Sequence, residues 1–407
     1  MSGRDYLHIW YLAQSAVILF LLLLIGAWEA YHGIRMVVVI IPVAVIMLLA
    51  IVSSILDRQP HWLELINRWV QALCQPLILT VVWGMVTRIL IVRLQLPARG
   101  IVALGMIYYV VMFAPFASEI GGQLQWTVAR IFYLFWWFNT VLAMGIALPL
   151  KFTGPHAFAV LISTGAVGAI SYFVMVTTVM RAWKLSWPGI KPQFGWGFSW
   201  IVLAVLIIAD LWFTVWNAYG TGDRWQTVLT SYHLVWKRPT GTFTMQAFEA
   251  SVGEETLCRF GFLGCSLYAF RKFANRIPYA VVLSSALFAL IHYFNLFGQS
   301  FSMTTVQVLS AFSLGLFYAV VYLYTGQLWI PMLMHFLLDW TSFTASNSTV
   351  MSGNAGAMDW LTLVLQMILF IAVTIWMMFG KRRHVMKRHA DRLIGEDQHF
   401  GFRLEFN

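Results

Sequence analysis

The chain has 407 residues, 60% of them hydrophobic and 10% charged, whereas an ordinary soluble domain carries about a quarter charged residues. That composition excludes a soluble globular protein. The net charge of +10 would point to nucleic acid in a soluble chain. Here the Lys and Arg residues sit mainly between apolar segments, where they set topology, and no nucleic-acid partner is expected.

Apolar runs separated by charged or turn-rich breaks predict an all-α, polytopic transmembrane helix bundle of about twelve spans. The spans centre near Phe20, Ile46, Leu79, Val110, Phe135, Gly165, Leu206, Leu263, Leu283, Leu314, Phe336 and Phe370. The first span lacks a small-residue cleavage pattern and reads as a retained helix. An even number of spans puts both termini on one side. The cluster Lys381, Arg382, Arg383, Lys387 and Arg388 after the last span places the C-terminus in the cytoplasm. The loops carrying Arg181, Lys184 and Lys191, and Arg271, Lys272 and Arg276, agree with that arrangement. Arg88, Arg93 and Arg99 disagree, so one of the first four spans is re-entrant or the count is off by one.

Within the first half, Gln71 and Gln75 lie one turn apart beside Pro76 and read as interhelical hydrogen-bond glue. Trp136, Trp137, Trp183, Trp187, Trp196 and Trp200 fall near expected helix ends, where Trp anchors a span at the interface. Cys74, Cys258 and Cys265 lie in apolar segments and imply no disulfide framework. The turn-rich break at 186–196 divides an N-terminal bundle (1–195), to which no task is assigned, from a core at 196–380. A basic tail follows at 381–407. Compact loops favour a bacterial plasma membrane over the endoplasmic reticulum.

An ionisable side chain inside a span costs at least ~2.5 kcal/mol and is a functional hypothesis by default. The second half concentrates such residues. Gly253-Glu254-Glu255-Thr256-Leu257-Cys258-Arg259 places Glu255 and Arg259 at i,i+4 in the favourable acid-first order, and Glu254 about 100° away around the helix. Phe288-Ala289-Leu290-Ile291-His292 follows on the next span, with Asn295 close behind. Later, His335 and Asp339 share one helical face. Asp210, in an earlier apolar run, is either a helix-end residue or a partner for a basic group in the core. Each signal alone has a structural reading, a hydrogen-bonded core histidine or an ion pair. Together they are harder to dismiss, because buried polar groups need partners and the nearest are one another.

Glu-Glu-x-x-x-Arg, then Phe-x-x-x-His, then His-x-x-x-Asp, in that order on successive helices between about Glu249 and Trp340, resembles the CPBP family of intramembrane CAAX and bacteriocin-processing proteases, also called Abi proteins. The resemblance implies a glutamic-type intramembrane endopeptidase acting on a membrane-embedded or lipidated protein or peptide within the lipid bilayer, with no cofactor and no metal. Carried over by motif, Glu254 is the base and His292 its water-binding partner. His335 and Asp339 form the oxyanion pair, and Glu255, Arg259, Phe288 and Asn295 support the site.

Asp339 stands where the family more often has Asn. An ionised Asp cannot donate to an oxyanion, so Asp339 either stays protonated or pairs with a cationic His335. The chemistry holds without the family: peptide hydrolysis needs a base poised near operating pH and donors aimed at developing negative charge. No Gly-x-Ser-x-Gly elbow or His-Glu-x-x-His segment is present. Competing readings are a zinc protease using Glu254, His292 and His335, a non-proteolytic immunity or scaffold protein, and a transporter. The transporter is disfavoured by the absence of an inverted repeat.

Overall fold

A computed structural model describes residues 3–33, 37–56, 60–147, 156–190, 195, 197–235 and 237–395. Expectations concerning Lys191, Trp196 and the tail beyond 395 lie outside these residues. The described chain is helical, with one isolated bridge between Gly220 and Tyr232 and no other strand pairing among the described residues. It forms two compact units, one ending at Trp183 and the other beginning at Lys184. Among the described residues eight helices are long and apolar enough to cross a membrane, and a ninth if a bent pair counts as one span. The protein is therefore an integral membrane helix bundle.

The first unit contains α1 (Gly3–Tyr31), α2 (Val37–Ile55), α3 (His61–Arg88), α4 (Ala98–Val111), α5 (Ala114–Glu119), α6 (Thr127–Ala147), α7 (His156–Ser163) and α8 (Ala166–Ala182). The span expected around Gly165 is broken: α7 and α8 meet at 53°. Gly165 makes the break at φ +75°, a left-handed conformation that costs glycine little.

Pro76 lies inside α3, and its missing N–H leaves the carbonyl of Ala72 without its helical donor. Water is absent from the hydrocarbon, so another helix must supply one. Trp137 on α6, fully buried, donates its Nε1–H to that carbonyl at 2.8 Å. Gln75 accepts from the Tyr11 hydroxyl of α1 at 3.1 Å, and Gln71 donates to the Ile46 carbonyl of α2 at 2.7 Å. The two glutamines are interhelical glue, as expected. Trp137 and Trp183 are not interfacial anchors. Both are buried, and Trp183 donates to the Gly121 carbonyl at 2.8 Å.

The second unit contains α9 (Trp200–Tyr219), α10 (Gly241–Glu255), α11 (Leu263–Ala269), α12 (Arg276–Ile291), α13 (Phe301–Thr325), α14 (Trp329–Ser346), α15 (Ala357–Met377) and α16 (Gly380–Leu393). Ser199, Thr240 and Ser300 begin α9, α10 and α13, their hydroxyls accepting from the N–H groups of Val202, Phe243 and Met303, which satisfies donors a helix start leaves open. A π-helical segment, Thr256–Phe262, joins α10 to α11, and at its end the Leu263 N–H reaches the Cys258 carbonyl five residues back.

At the centre lies α13, buried almost throughout its second half, with α12, α14, α15 and α16 packed around it. It ends at Gly326, φ +66°, where an added Cβ would come within 3.1 Å of Arg392 and His389. Those residues of α16 bond the last carbonyls of α13: His389 Nδ1 donates to Leu323 at 2.8 Å and Arg392 to Gly326 at 2.7 Å. A cationic cap of this kind also complements the negative end of the helix dipole.

Candidate active site

The site assembles from α10, α12, α13 and α14. Glu255 ends α10 and is fully buried. Its Oε2 lies 3.0 Å from Arg259 Nε, one turn on in the π segment, while Oε1 accepts from His335 Nδ1–H at 2.9 Å. One carboxylate thus ties its own helix to α14. The Arg259 guanidinium, also buried, lies over the ring of Phe288 at 4.4 Å and of Tyr318 at 5.4 Å. Aromatic faces stabilise a desolvated cation, which offsets the hydrogen bonds its other nitrogens lack.

With Nδ1 engaged by Glu255, the Nε2 atom of His335 faces the other side. It lies 3.4 Å from Asp339 Oδ2 and 3.9 Å from Glu254 Oε2. The Glu254 and Asp339 side chains retain about a fifth of their exposure, 22% and 21%, whereas Glu255 has none. The adjacent glutamates are therefore split by environment, Glu255 inside the packing and Glu254 at an accessible edge. Tyr318 stacks on the His335 imidazole with centroids 5.8 Å apart at 28°.

His292 directly follows α12. Its Nδ1 lies 2.8 Å from the Phe288 carbonyl; a carbonyl only accepts, so Nδ1 carries the proton and the neutral ring offers an Nε2 lone pair. The His292 ring meets Phe288 edge-on at 4.8 Å and lies within electrostatic reach of Glu254. Asn295 lies apart from this cluster, donating to Gln307 of α13 at 2.9 Å, where it secures the short 3₁₀ segment His292–Phe297. Glu254, Glu255, Arg259, Phe288, His292, His335 and Asp339 are thus brought together, with Asn295 outside. Among the described residues no three His, Cys, Asp or Glu side chains converge as metal ligands.

Sequence reasoning missed Tyr318, Glu249 and Thr244. Tyr318 had a signal, a hydroxyl in mid-span that needs a partner. Glu249 sits on α10 in electrostatic reach of Glu254, Asp339 and His335. Thr244 accepts from Trp340 Nε1 at 3.1 Å, tying α10 to α14. Asp210 is not the helix-end residue that one expectation made it. It lies midway along α9, 1% exposed, with Tyr318, His335 and Glu255 within electrostatic reach.

Carboxylates and imidazoles gathered on the helices of a membrane bundle are groups able to carry acid–base chemistry. Residues 236–341 match the family model described as type II CAAX prenyl endopeptidase Rce1-like; the chain carries an Rce1-like domain there, consistent with the CPBP resemblance. Every motif residue falls inside the match, which covers roughly a quarter of the chain. No curated protein and no solved structure matches the chain.

Proposed function

We propose that the protein is a glutamic-type intramembrane endopeptidase that cleaves a membrane-embedded or lipidated peptide, a prenylated one being favoured by the family to which its domain is matched. The observation that carries this reading is the convergence of Glu254 and Asp339 on the free nitrogen of His335, at 3.9 and 3.4 Å, with Glu255 holding the other nitrogen. Water hydrogen-bonded by the Glu254 carboxylate and the His292 Nε2 lone pair gives its proton to Glu254 as its oxygen attacks the scissile carbonyl. His335 Nε2–H donates to the oxyanion, and Asp339 keeps that donor charged and oriented. Glu254 then passes its proton to the leaving amine as the C–N bond breaks.

In this reading the protease core falls within 196–380, the basic segment from 381 faces the cytoplasm, and the membrane is a bacterial plasma membrane. The test compares wild type with Glu254→Gln, which is nearly isosteric. Cleavage of a fluorogenic prenylated peptide in micelles should stop with little loss of folded protein. Mass spectrometry of membranes holding only the variant should show intact substrates accumulating. Equal turnover by the two proteins would sink the assignment.

A further inference from the structure

Asp210 is a buried carboxyl of the second unit that hydrolysis leaves unused. Neither of its carboxyl oxygens has a hydrogen-bond partner, and the hydroxyl of Tyr318, itself 1% exposed, is in the same condition. The two groups face each other within electrostatic reach without closing to hydrogen-bond geometry. A buried carboxyl and a buried hydroxyl left apart each carry a desolvation cost, and a phenol donating to a carboxylate removes both. Each is the complementary group the other lacks.

Tyr318 touches two of the basic groups of the site: its ring stacks on His335 at 5.8 Å and lies under the Arg259 guanidinium at 5.4 Å. Its hydroxyl is the only polar handle on that ring. Asp210 reaches it from α9, a helix outside the motif-bearing segment that packs directly against α14, the helix of His335.

We propose that Asp210 and Tyr318 form a hydrogen-bonded positioning pair, Tyr318 donating and Asp210 accepting, that fixes the aromatic wall against which His335 and Arg259 are held. Its effect on turnover rests on the endopeptidase reading; its effect on the His335 ring does not. Neither residue touches substrate.

The experiment uses the full chain in micelles with three variants. Tyr318→Phe keeps the ring and removes the donor, Asp210→Leu removes the acceptor, and Asp210→Asn keeps an accepting oxygen. With the fluorogenic prenylated peptide as probe, Tyr318→Phe and Asp210→Leu should each lower kcat about tenfold, the rate equivalent of one buried hydrogen bond, with KM nearly unchanged. Asp210→Asn should retain most of the activity, and the Tyr318→Phe/Asp210→Leu double variant should fall no further than the weaker single. In ¹⁵N-histidine spectra, with His335 assigned from its absence in His335→Gln, its ring signals should shift in the two removal variants and stay in place in Asp210→Asn.

If wild type and Glu254→Gln both leave the probe intact while the His335 signals shift as stated, the endopeptidase reading fails and the pair stands. Wild-type kcat with unshifted His335 signals in Tyr318→Phe, or losses that multiply in the double variant, overturns the pair. Tyr318→Phe and Asp210→Asn change almost no volume, so the outcome does not depend on Asp210→Leu folding well.

Discussion

Arg259→Met separates an ion pair that holds the site from one that merely sits in it. Methionine keeps much of the length of the side chain and removes the charge. The Glu255 carboxylate, fully buried, is then left with the His335 Nδ1–H as its one remaining partner. Removing one member of a buried pair costs ~3–5 kcal/mol because the other stays charged and unpaired. Loss of the cation over Phe288 and Tyr318 adds about 1 kcal/mol, so the single variant should lose ~4–6 kcal/mol, a large fraction of a typical folding free energy. The double variant Arg259→Met/Glu255→Gln should recover most of this, since an amide oxygen still accepts from His335 and no charge is stranded. The assay is the folded fraction of purified protein in mixed micelles titrated with a denaturing detergent. A single variant that loses under ~1 kcal/mol, or a double variant no better than the single, would refute the claim that Glu255 needs Arg259 as its counter-charge.

Three further outcomes are expected. Asp339→Asn removes a carboxylate 3.4 Å from His335 Nε2, so its activity should drop away from wild type as pH rises above ~6.5, the reference value for histidine; parity at about pH 8 would rule out the ion-pair role and favour a protonated Asp339. Trp137→Phe strands the Ala72 carbonyl that Pro76 leaves open, costing ~1–3 kcal/mol. In a thermal-shift series Pro76→Ala should rescue it by restoring the helical donor, and a failed rescue would mean that lost ring packing causes the effect. Gly315→Leu places a side chain where even a Cβ would lie 3.0 Å from Ser285 Cβ of α12; it should cost ~1–3 kcal/mol through overpacking and lower turnover by shifting α12 and His292, measured as kcat per folded molecule against Gly315→Ala.

Much of the site was legible because ionisable residues in apolar helices are rare enough to mark themselves, and because Glu255–Arg259 and His335–Asp339 sit at spacings that one helix dictates. Contacts between helices were not legible. Nothing local to Glu255 says that its second oxygen reaches His335, 80 residues on, or that Asp210 faces Tyr318. The Trp137 partnership was hidden for the same reason. Pro76 announces an orphaned carbonyl, but only tertiary packing decides which donor answers it. Asn295, expected to support the site, does so from outside the cluster: its side chain turns to Gln307 and holds the segment that begins with His292, a partner that its spacing does not reveal.

The π segment between α10 and α11 amounts to one extra residue wound into an otherwise regular rod, and it carries Arg259. Excising a single residue there, Cys258 for instance, would let the rod relax into a continuous α-helix with better local hydrogen bonding. The same excision would bring Arg259 one position nearer to Glu255, rotating it about 100° around the axis relative to the two glutamates, away from Phe288 and Tyr318. In this stretch of chain, local helical stability and a working charge arrangement pull in opposite directions. A shortened protein with a more regular rod and a silent centre is the outcome that geometry sets.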